Sequence, residues 1–168
     1  MTITLLALGF IILSLSSISK NNNNYLNEHA SYDYRVEKVI DGDTIKVSRN
    51  GIEDTVRLLG INTPEISGPY RTEECYGHEA SEYLKNILPS GSYVAIETDP
   101  TQNTRDQYER VLAYVIRNNG THINQELISA GYAREYTYRN RPYRHQYEFQ
   151  RAEQSAQDNN LGLWTACK

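Results

Sequence analysis

Five short stretches of the chain have the pattern of β-strands, and the first three show a rough alternation of apolar and polar residues. The stretches cover residues 34–40, 44–49, 55–61, 93–98 and 111–117. Asp41-Gly42 and Asn50-Gly51 separate the first three, and both dipeptides favour tight hairpin turns. The pattern therefore predicts a three-stranded meander and, further along the chain, two more strands.

Three other stretches are predicted to be helices. Residues 78–88 place their apolar side chains on one helical face, and Pro89 provides a stop. A shorter helix is predicted over residues 124–130, with Asn124 as its cap and Gly131 after its end, and a last one over residues 144–159. Five short strands with a helix inserted after the third predict an α+β fold: a small closed barrel of the oligonucleotide/oligosaccharide-binding (OB) type, with about three helices.

The first residues have the character of an export signal. Residues 2–19 carry no charge, residues 3–15 are mostly Leu, Ile and Ala, and Ser17 and Ser19 form the small-x-small pattern of a cleavage site. We predict a signal peptide or membrane anchor over residues 1–19, an Asn-rich linker over 20–31 and one folded domain over 32–168. The protein is expected to be secreted or extracytoplasmic, either released or tethered to the membrane through residues 3–19.

Length and charge exclude several classes of protein. A chain of 168 residues suffices for one compact domain but not for a multidomain machine, and a mean hydropathy of -0.65 excludes a polytopic membrane protein. The net charge of -4 argues against coating of nucleic acid by bulk charge, although it leaves room for a local basic patch. Nothing implies a protein partner, so we expect a monomer.

The two cysteines, Cys75 and Cys167, are expected to be oxidised if the protein is exported. We predict a disulfide that pins the C-terminal segment to the first helix; the alternative is two unrelated thiols. The four histidines are scattered and do not have the spacing of a zinc site.

Three short segments carry candidate chemistry. Asp41-Gly42-Asp43-Thr44 offers two carboxylates to a hard cation, although the same residues also suit a simple hairpin turn. Arg57 lies in an apolar strand that leads to Glu65, and Arg110 begins another apolar strand. A guanidinium in such a place needs an anion, which is either a phosphate or a partner in a structural salt bridge. Two guanidiniums, a carboxylate and an acidic turn match what phosphodiester hydrolysis requires.

Five segments resemble the thermonuclease (staphylococcal nuclease) family in order and approximate spacing. They are Asp41-Gly42-Asp43-Thr44, Arg57-Leu58-Leu59-Gly60-Ile61-Asn62-Thr63-Pro64-Glu65, Tyr76-Gly77-His78-Glu79-Ala80, Tyr108-Glu109-Arg110-Val111-Leu112-Ala113-Tyr114 and Leu161-Gly162-Leu163-Trp164. The resemblance spans about residues 32–166. It implies the same helix-decorated barrel and a calcium-dependent endonuclease that cleaves DNA and RNA and leaves 3′-phosphate ends.

The resemblance also implies roles for individual residues. Glu65 would be the general base or would orient the attacking water, Arg57 would hold a phosphate oxygen, and Arg110 would stabilise the transition state. The Ca²⁺ ligands would be the Asp43 carboxylate, the Asn62 side-chain oxygen and the Thr63 backbone carbonyl. The implied substrate-binding residues, which would contact terminal phosphate and bases, are Tyr108, Tyr136 and Tyr138.

Two positions depart from the family pattern. Asn62 stands where a second metal-binding Asp is common, so we expect a weaker calcium site. Glu109 replaces the small Gly that usually precedes the catalytic Arg, which would put bulk and negative charge near the phosphate and slow turnover or narrow substrate choice.

Arginines and aromatic residues are interleaved between residues 132 and 151. The arginines are Arg134, Arg139, Arg141, Arg144 and Arg151. This mixture favours contact with unpaired nucleic acid, whereas the plain alternative is a solvated helix with its aromatic residues in the core. We assign the loop 135–143 to binding and the helix after it to structure.

Three functions fit these patterns to different degrees. The first is a Ca²⁺-dependent nuclease that prefers single-stranded DNA or RNA. The second, motivated by Asn62 and Glu109, is a catalytically weak or inactive nucleic-acid-binding module of the same fold. The third, an anchored oligosaccharide-binding barrel, leaves the paired arginines unexplained. Glu65 favours the nuclease, because a pure binder gains little from a carboxylate facing a phosphate.

Overall fold

A computed structural model describes residues 31–68 and 72–167. The predicted signal or anchor over 1–19 lies outside these residues, as does nearly all of the predicted linker over 20–31. Within the described part of the chain, none of the helices is both long enough and apolar enough to cross a membrane.

Five strands close into a barrel in the order β1-β2-β3-β6-β5. They are β1 (Tyr34–Asp41), β2 (Thr44–Arg49), β3 (Ile52–Leu58), β5 (Tyr93–Thr98) and β6 (Val111–Arg117). Neighbouring strands are antiparallel except β3 and β6, which run parallel. A separate two-stranded sheet pairs β4 (Ile61–Asn62) with β7 (Arg134–Glu135). The predicted α+β class and five-stranded OB-type barrel are confirmed.

The barrel interior consists of the apolar residues that alternate along these strands. The fully buried side chains include Val36, Ile45, Val47, Leu58, Val94 and Val115. The turn between β2 and β3 has positive φ at both central residues, 53° at Asn50 and 79° at Gly51, the conformation that suits a two-residue hairpin. The hairpin turn predicted from Asn50-Gly51 is therefore confirmed.

The third predicted strand, over residues 55–61, is two strands in the structure. Strand β3 begins earlier, at Ile52, and ends at Leu58, and β4 resumes at Ile61 in another sheet. Gly60 produces the break: its φ is 78°, and a Cβ added there would lie 2.7 Å from the Tyr143 ring. Apolar residues continue through this turn because both sides of it are buried, so alternation alone does not reveal the break.

The described part of the chain contains four α-helices. They are α1 (Gly77–Ile87), α2 (Ile123–Ser129), α3 (Gln146–Asp158) and the short α4 (Leu163–Ala166), with a 3-10 turn over Tyr138–Asn140. The three predicted helices are present with ends shifted by one or two residues. Leu84, Leu127 and Phe149 carry the apolar faces of α1, α2 and α3 into the core.

Asn124 is not the cap of α2, contrary to the sequence prediction. The helix begins one residue earlier, His122 is its N-cap, and Asn124 is fully buried. Its Oδ1 accepts the Val115 N–H at 2.9 Å, and its Nδ2 donates to the carbonyls of Leu59 at 2.9 Å and Ala113 at 3.2 Å. The side chain therefore ties α2 to strand β6 and to the end of β3.

The predicted disulfide between Cys75 and Cys167 is present, with the two Cα atoms 5.8 Å apart. Cys75 lies just before α1 and Cys167 directly follows α4. The bond therefore holds the C-terminal helix against the segment that enters α1.

Candidate active site

Asp43 lies at the bottom of the site, in the turn between β1 and β2, and is only 6% exposed. Its Oδ1 accepts the Thr44 hydroxyl at 3.0 Å, and its Oδ2 accepts the Thr63 N–H at 3.2 Å. Burial raises the pKa of Asp43 to about 6; the nearby Arg57 opposes this rise and the Asp41 carboxylate adds to it. A second cation beside this carboxylate would favour its charged form.

Arg57 projects from β3 onto Asp43, forming an ion pair of 2.8 Å between Nη2 and Oδ2. Nη1 donates to the carbonyls of Leu58 at 2.8 Å and Ile61 at 3.0 Å, and Nη2 also donates to Asn62 Oδ1 at 3.0 Å. Its side chain is 13% exposed. Four acceptors therefore fix the plane of this guanidinium in a largely buried position.

The oxygen atoms around Asp43 suit a hard cation. The candidate donors are the Asp43 carboxylate, the Asn62 side-chain oxygen and the Thr63 carbonyl, with the Asp41 carboxylate also in the turn, where its Oδ1 accepts the Asp43 N–H at 3.1 Å. In the described residues, no three His, Cys, Asp or Glu side chains come together as a metal-binding group. The donor set thus fits Ca²⁺ through oxygen chemistry, but with few carboxylates.

Glu65 follows Thr63 and Pro64 out of β4 and is half-buried. Its backbone is held from two sides: its N–H donates to Glu74 Oε2 at 3.1 Å, and its carbonyl accepts the Glu74 N–H at 2.9 Å. Helix α1 begins against it, because a Cβ on Gly77 would lie 2.3 Å from the Glu65 carbonyl oxygen. The helix start and the loop therefore fix where Glu65 leaves the barrel.

Arg110 lies just before β6, beside the strand that carries Arg57. In the parallel register Arg57 pairs with Leu112, and Arg110 precedes Leu112 by two residues, just outside the strand. Its Nε and Nη2 both bind Asp106 Oδ2 at 2.7 Å. The structure thus places Arg57 on β3 and Arg110 just before the neighbouring strand β6. Arg57 forms an ion pair with Asp43, and Arg110 forms one with Asp106.

Asp106 is a site residue that the sequence analysis missed. Besides the Arg110 side chain, its Oδ1 accepts the N–H groups of Tyr108 at 2.9 Å and Arg110 at 3.0 Å. These bonds lower the pKa of Asp106 against the effect of its burial, the largest single influence, which raises it. Its position four residues before Arg110 was the available signal, since Asp commonly caps a turn in this way.

The three predicted substrate-binding tyrosines are all solvent-accessible. Tyr108 is 70% exposed with the Arg110 guanidinium 5.4 Å from its ring centre, Tyr136 is 45% exposed, and Tyr138 is 50% exposed. Tyr136 lies next to the segment that carries the candidate cation ligands, because its N–H donates to the Gly60 carbonyl at 3.0 Å and β7 pairs with β4. The Tyr136 and Tyr138 rings are 6.3 Å apart.

Several arginines of the 134–151 segment are engaged within the protein. Arg134 stacks over Trp164 at 4.2 Å, Arg141 bonds to Asn103 and the Thr101 carbonyl, and Arg144 forms an ion pair with Glu97. Arg139 and Arg151 are exposed, with Arg139 5.1 Å from the Tyr138 ring centre. Phe149 is buried, which agrees with the structural assignment of the helix after residue 143. Tyr143 is also buried, although it is the last residue of the loop assigned to binding, and its hydroxyl donates to the Gly60 carbonyl and to Glu135.

Comparisons with known proteins give a matching family and several relatives. The model of a family described as "Staphylococcal nuclease homologue" matches residues 55–166. The chain is 36% identical over 132 residues to a thermonuclease of Staphylococcus hyicus, which covers 79% of this chain and 75% of that protein. It is 39% identical over 135 residues to the SPbeta prophage-derived endonuclease YokF of Bacillus subtilis, covering 79% of this chain but 44% of that protein. It is also 34% identical over 163 residues to an uncharacterized protein of Methanocaldococcus jannaschii, covering 86% of this chain and 77% of that protein.

Proposed function

Because the chain belongs to the staphylococcal nuclease homologue family, we propose that it is a Ca²⁺-dependent, sequence-nonspecific endonuclease that hydrolyses phosphodiester bonds of DNA and RNA. Relatives named as thermonuclease and endonuclease support the nuclease activity. The single observation that carries the proposal is the parallel pairing of β3 with β6, which brings the strand of Arg57, the ion-pair partner of the buried Asp43, next to the strand that follows Arg110.

The two arginines would stabilise the negative charge that develops on the phosphate. The acceptors around Arg57 engage both of its Nη atoms before substrate arrives, so Nε is the donor that could meet a phosphate oxygen without rearrangement of these contacts. Asp106 engages Nε and Nη2 of Arg110, which leaves Nη1 as the group for a phosphate oxygen. Removing one such donor from comparable sites costs on the order of 10²–10³-fold in rate.

Glu65 would orient or deprotonate the attacking water. General-base assistance of this kind contributes about 10²–10⁴-fold. The Asp43 carboxylate, the Asn62 side-chain oxygen and the Thr63 carbonyl would hold Ca²⁺, which when bound supplies positive charge to the phosphate oxygens. With Asp43 as the one carboxylate in this set, affinity is expected in the millimolar range, which suffices outside the cell.

Unpaired nucleic acid is the proposed substrate, and products would carry 3′-phosphate ends. The exposed rings of Tyr108, Tyr136 and Tyr138 offer stacking surfaces for unpaired bases. The bases of a duplex are already stacked on one another. The proposed location is extracytoplasmic, either secreted or tethered through residues 3–19. We propose that the protein acts as a monomer.

A calcium-dependent assay with a Glu65 variant tests this function. Hydrolysis of denatured DNA should appear with millimolar Ca²⁺ and stop on chelation, and Glu65→Gln should lose about 10²–10⁴-fold in kcat while still binding DNA. Equal activity of wild type and Glu65→Gln would remove Glu65 from the mechanism.

The same assay distinguishes the second candidate, a non-catalytic nucleic-acid-binding module. Asn62 in place of a second carboxylate favours this alternative. It predicts that the wild-type protein binds single-stranded DNA but does not hydrolyse it at any Ca²⁺ concentration.

A further inference from the structure

Arg105, in the loop between β5 and β6, makes contacts that the proposed mechanism does not use. Its guanidinium forms a bidentate contact with Asp54 on β3: Nη1 donates to Oδ1 at 3.0 Å and Nη2 donates to Oδ2 at 2.6 Å. Nη1 also donates to the backbone carbonyl of Glu109 at 2.5 Å. Arg105 thus connects the strand that carries Arg57 to the residue just before Arg110.

The sheet register explains how one side chain reaches both places. The Arg105 backbone bridges to Val111, and the parallel strand β3 pairs with Val111 through Val56. The start of β6 thus lies between Arg105 and β3. The Arg105 side chain passes over the start of β6 to reach Asp54. Continuing the parallel register by two residues puts Asp54 level with Glu109, and the guanidinium lies between them.

Glu109 needs support at this point because its backbone is in the left-handed region, with φ of 62°. An L-residue with a side chain disfavours this conformation, whereas glycine adopts it readily. The Glu109 side chain itself is exposed, and the contact with Arg105 is made by its backbone carbonyl. A fixed carbonyl at residue 109 also fixes the peptide that leads into Arg110.

We propose that Asp54 and Arg105 form a clamp on the Glu109 carbonyl that positions Arg110 for phosphodiester hydrolysis. The clamp stabilises the left-handed conformation of the Glu109 backbone, which glycine would adopt without help. The backbone position of Arg110 is then fixed, and its side chain can reach Asp106 and the phosphate. Asp54 and Arg105 are positioning residues, since neither is placed on the substrate. The inference rests on the proposed function, and it concerns the geometry of one of its catalytic residues.

The clamp makes a prediction that a merely structural ion pair does not make. Arg105→Gln should lower kcat by about 10-fold with KM changed less than about twofold, because small misplacements of a catalytic group are costly. In a Glu109→Gly background the same Arg105→Gln change should lower kcat by less than about twofold, since glycine keeps the backbone in place without help. Asp54→Asn should follow Arg105→Gln in both backgrounds.

A matched control is Lys46→Gln, which removes another exposed ion pair of the barrel, the 2.7 Å contact between Lys46 and Glu53. This variant should keep wild-type kcat. Thermal unfolding of all variants should be similar, because the Arg105 and Asp54 side chains are 43% and 31% exposed and such pairs add little stability.

Hydrogen exchange provides a measurement that does not depend on activity. The Arg110 N–H donates to Asp106 Oδ1 at 3.0 Å, so its protection reports the order of this loop. Protection should fall at least about 10-fold in Arg105→Gln and return when Glu109→Gly is added. Unchanged protection, an unchanged kcat, or a kcat loss of equal size in the Glu109→Gly background would each overturn the clamp. An inactive wild-type protein whose Arg110 protection responds as described would overturn the proposed function instead.

Discussion

At the scale of single residues, the Arg57 side chain shows how the site is held in place. Both of its Nη atoms are occupied by acceptors from β3, β4 and the β1–β2 turn. Asn62 is one of them, so its side-chain oxygen serves Arg57 and is at the same time a candidate ligand for the cation. A carboxylate at position 62 would keep the contact with Arg57 and add a negative charge beside Asp43.

Asn62→Asp is therefore expected to tighten Ca²⁺ binding on the order of tenfold, because affinity rises with the number of carboxylates. Calorimetric titration with Ca²⁺ measures this directly. Asn119→Asp is the matched control, since Asn119 is exposed in the loop after β6 and an Asp there keeps the 3.1 Å contact with the Thr121 N–H. An unchanged or weaker titration for Asn62→Asp would show that the side chain does not face the ion.

The residues of the site divide into those that the sequence could indicate and those that it could not. Arg57 and Arg110 are conspicuous because each interrupts or begins an apolar strand, where a charge needs a partner. Arg105 and Asp54 lie in polar surroundings, and their partnership depends on the parallel pairing of strands that are distant in the chain. Glu109 was identified as unusual, but only the backbone φ shows that its conformation is the feature that matters.

At the scale of elements, Asn124 determines how α2 is attached to the barrel. We expect Asn124→Ala to destabilise the protein by about 3 kcal/mol, because the Val115 N–H and the carbonyls of Leu59 and Ala113 would be left buried without this partner. Urea unfolding followed by circular dichroism measures the loss.

Asn86→Ala provides the comparison for this prediction. Asn86 is exposed on α1, so its replacement should change the free energy of unfolding by less than about 0.5 kcal/mol. A similar small effect for Asn124→Ala would mean that water replaces the amide and that α2 does not depend on it.

The ends of strands and turns were predictable where residues close in sequence determine them. The 93–98 and 111–117 strands match the structure residue for residue, and Asn50-Gly51 gave the right turn. Asn124 was misassigned because an Asn near a helix start usually caps it, whereas here the surrounding barrel gives the amide three backbone partners. The arginines of residues 134–151 were likewise ambiguous, since Arg134, Arg141 and Arg144 find partners on other elements.

At the scale of the whole molecule, acid stability depends on Asp99, a buried carboxylate at the end of β5. It accepts hydrogen bonds from the Tyr114 hydroxyl at 2.7 Å, the Arg144 N–H at 2.7 Å and the Thr101 N–H and hydroxyl at 2.9 and 2.7 Å. Burial by itself raises the pKa of Asp99, but these donors outweigh it and lower the pKa to about 2. The bonds join β5, β6 and the segment that enters α3.

A carboxylate with a lowered pKa in the folded state stabilises the fold above its unfolded pKa, and this stabilisation is lost as the pH falls. Asp99 should contribute roughly 2.5 kcal/mol at pH 7, declining from about pH 5 towards pH 2. The free energy of unfolding, measured by urea at pH 7 and pH 3, should fall more for the wild type than for Asp99→Asn. Equal losses would assign the acid sensitivity to other carboxylates.

The overall fold was easier to predict from the sequence than the contacts between distant segments within it. Barrel closure follows from five short strands with a helix after the third, and the disulfide follows from two cysteines in a chain that the sequence predicts to be exported. The break at Gly60, the small sheet of β4 and β7 and the contacts of Asp99 all depend on which distant segments meet, and no local pattern encodes that.

The parallel contact between β3 and β6 has a consequence for the order in which the protein matures. Val56 and Val111 pair directly although they are about 55 residues apart in sequence, and such long-range contacts form late because the intervening loop must first be closed. Arg57 and Arg110 become neighbours only in that step. If the protein is the nuclease proposed above, an incompletely folded chain would therefore lack the paired arginines and would leave nucleic acids intact.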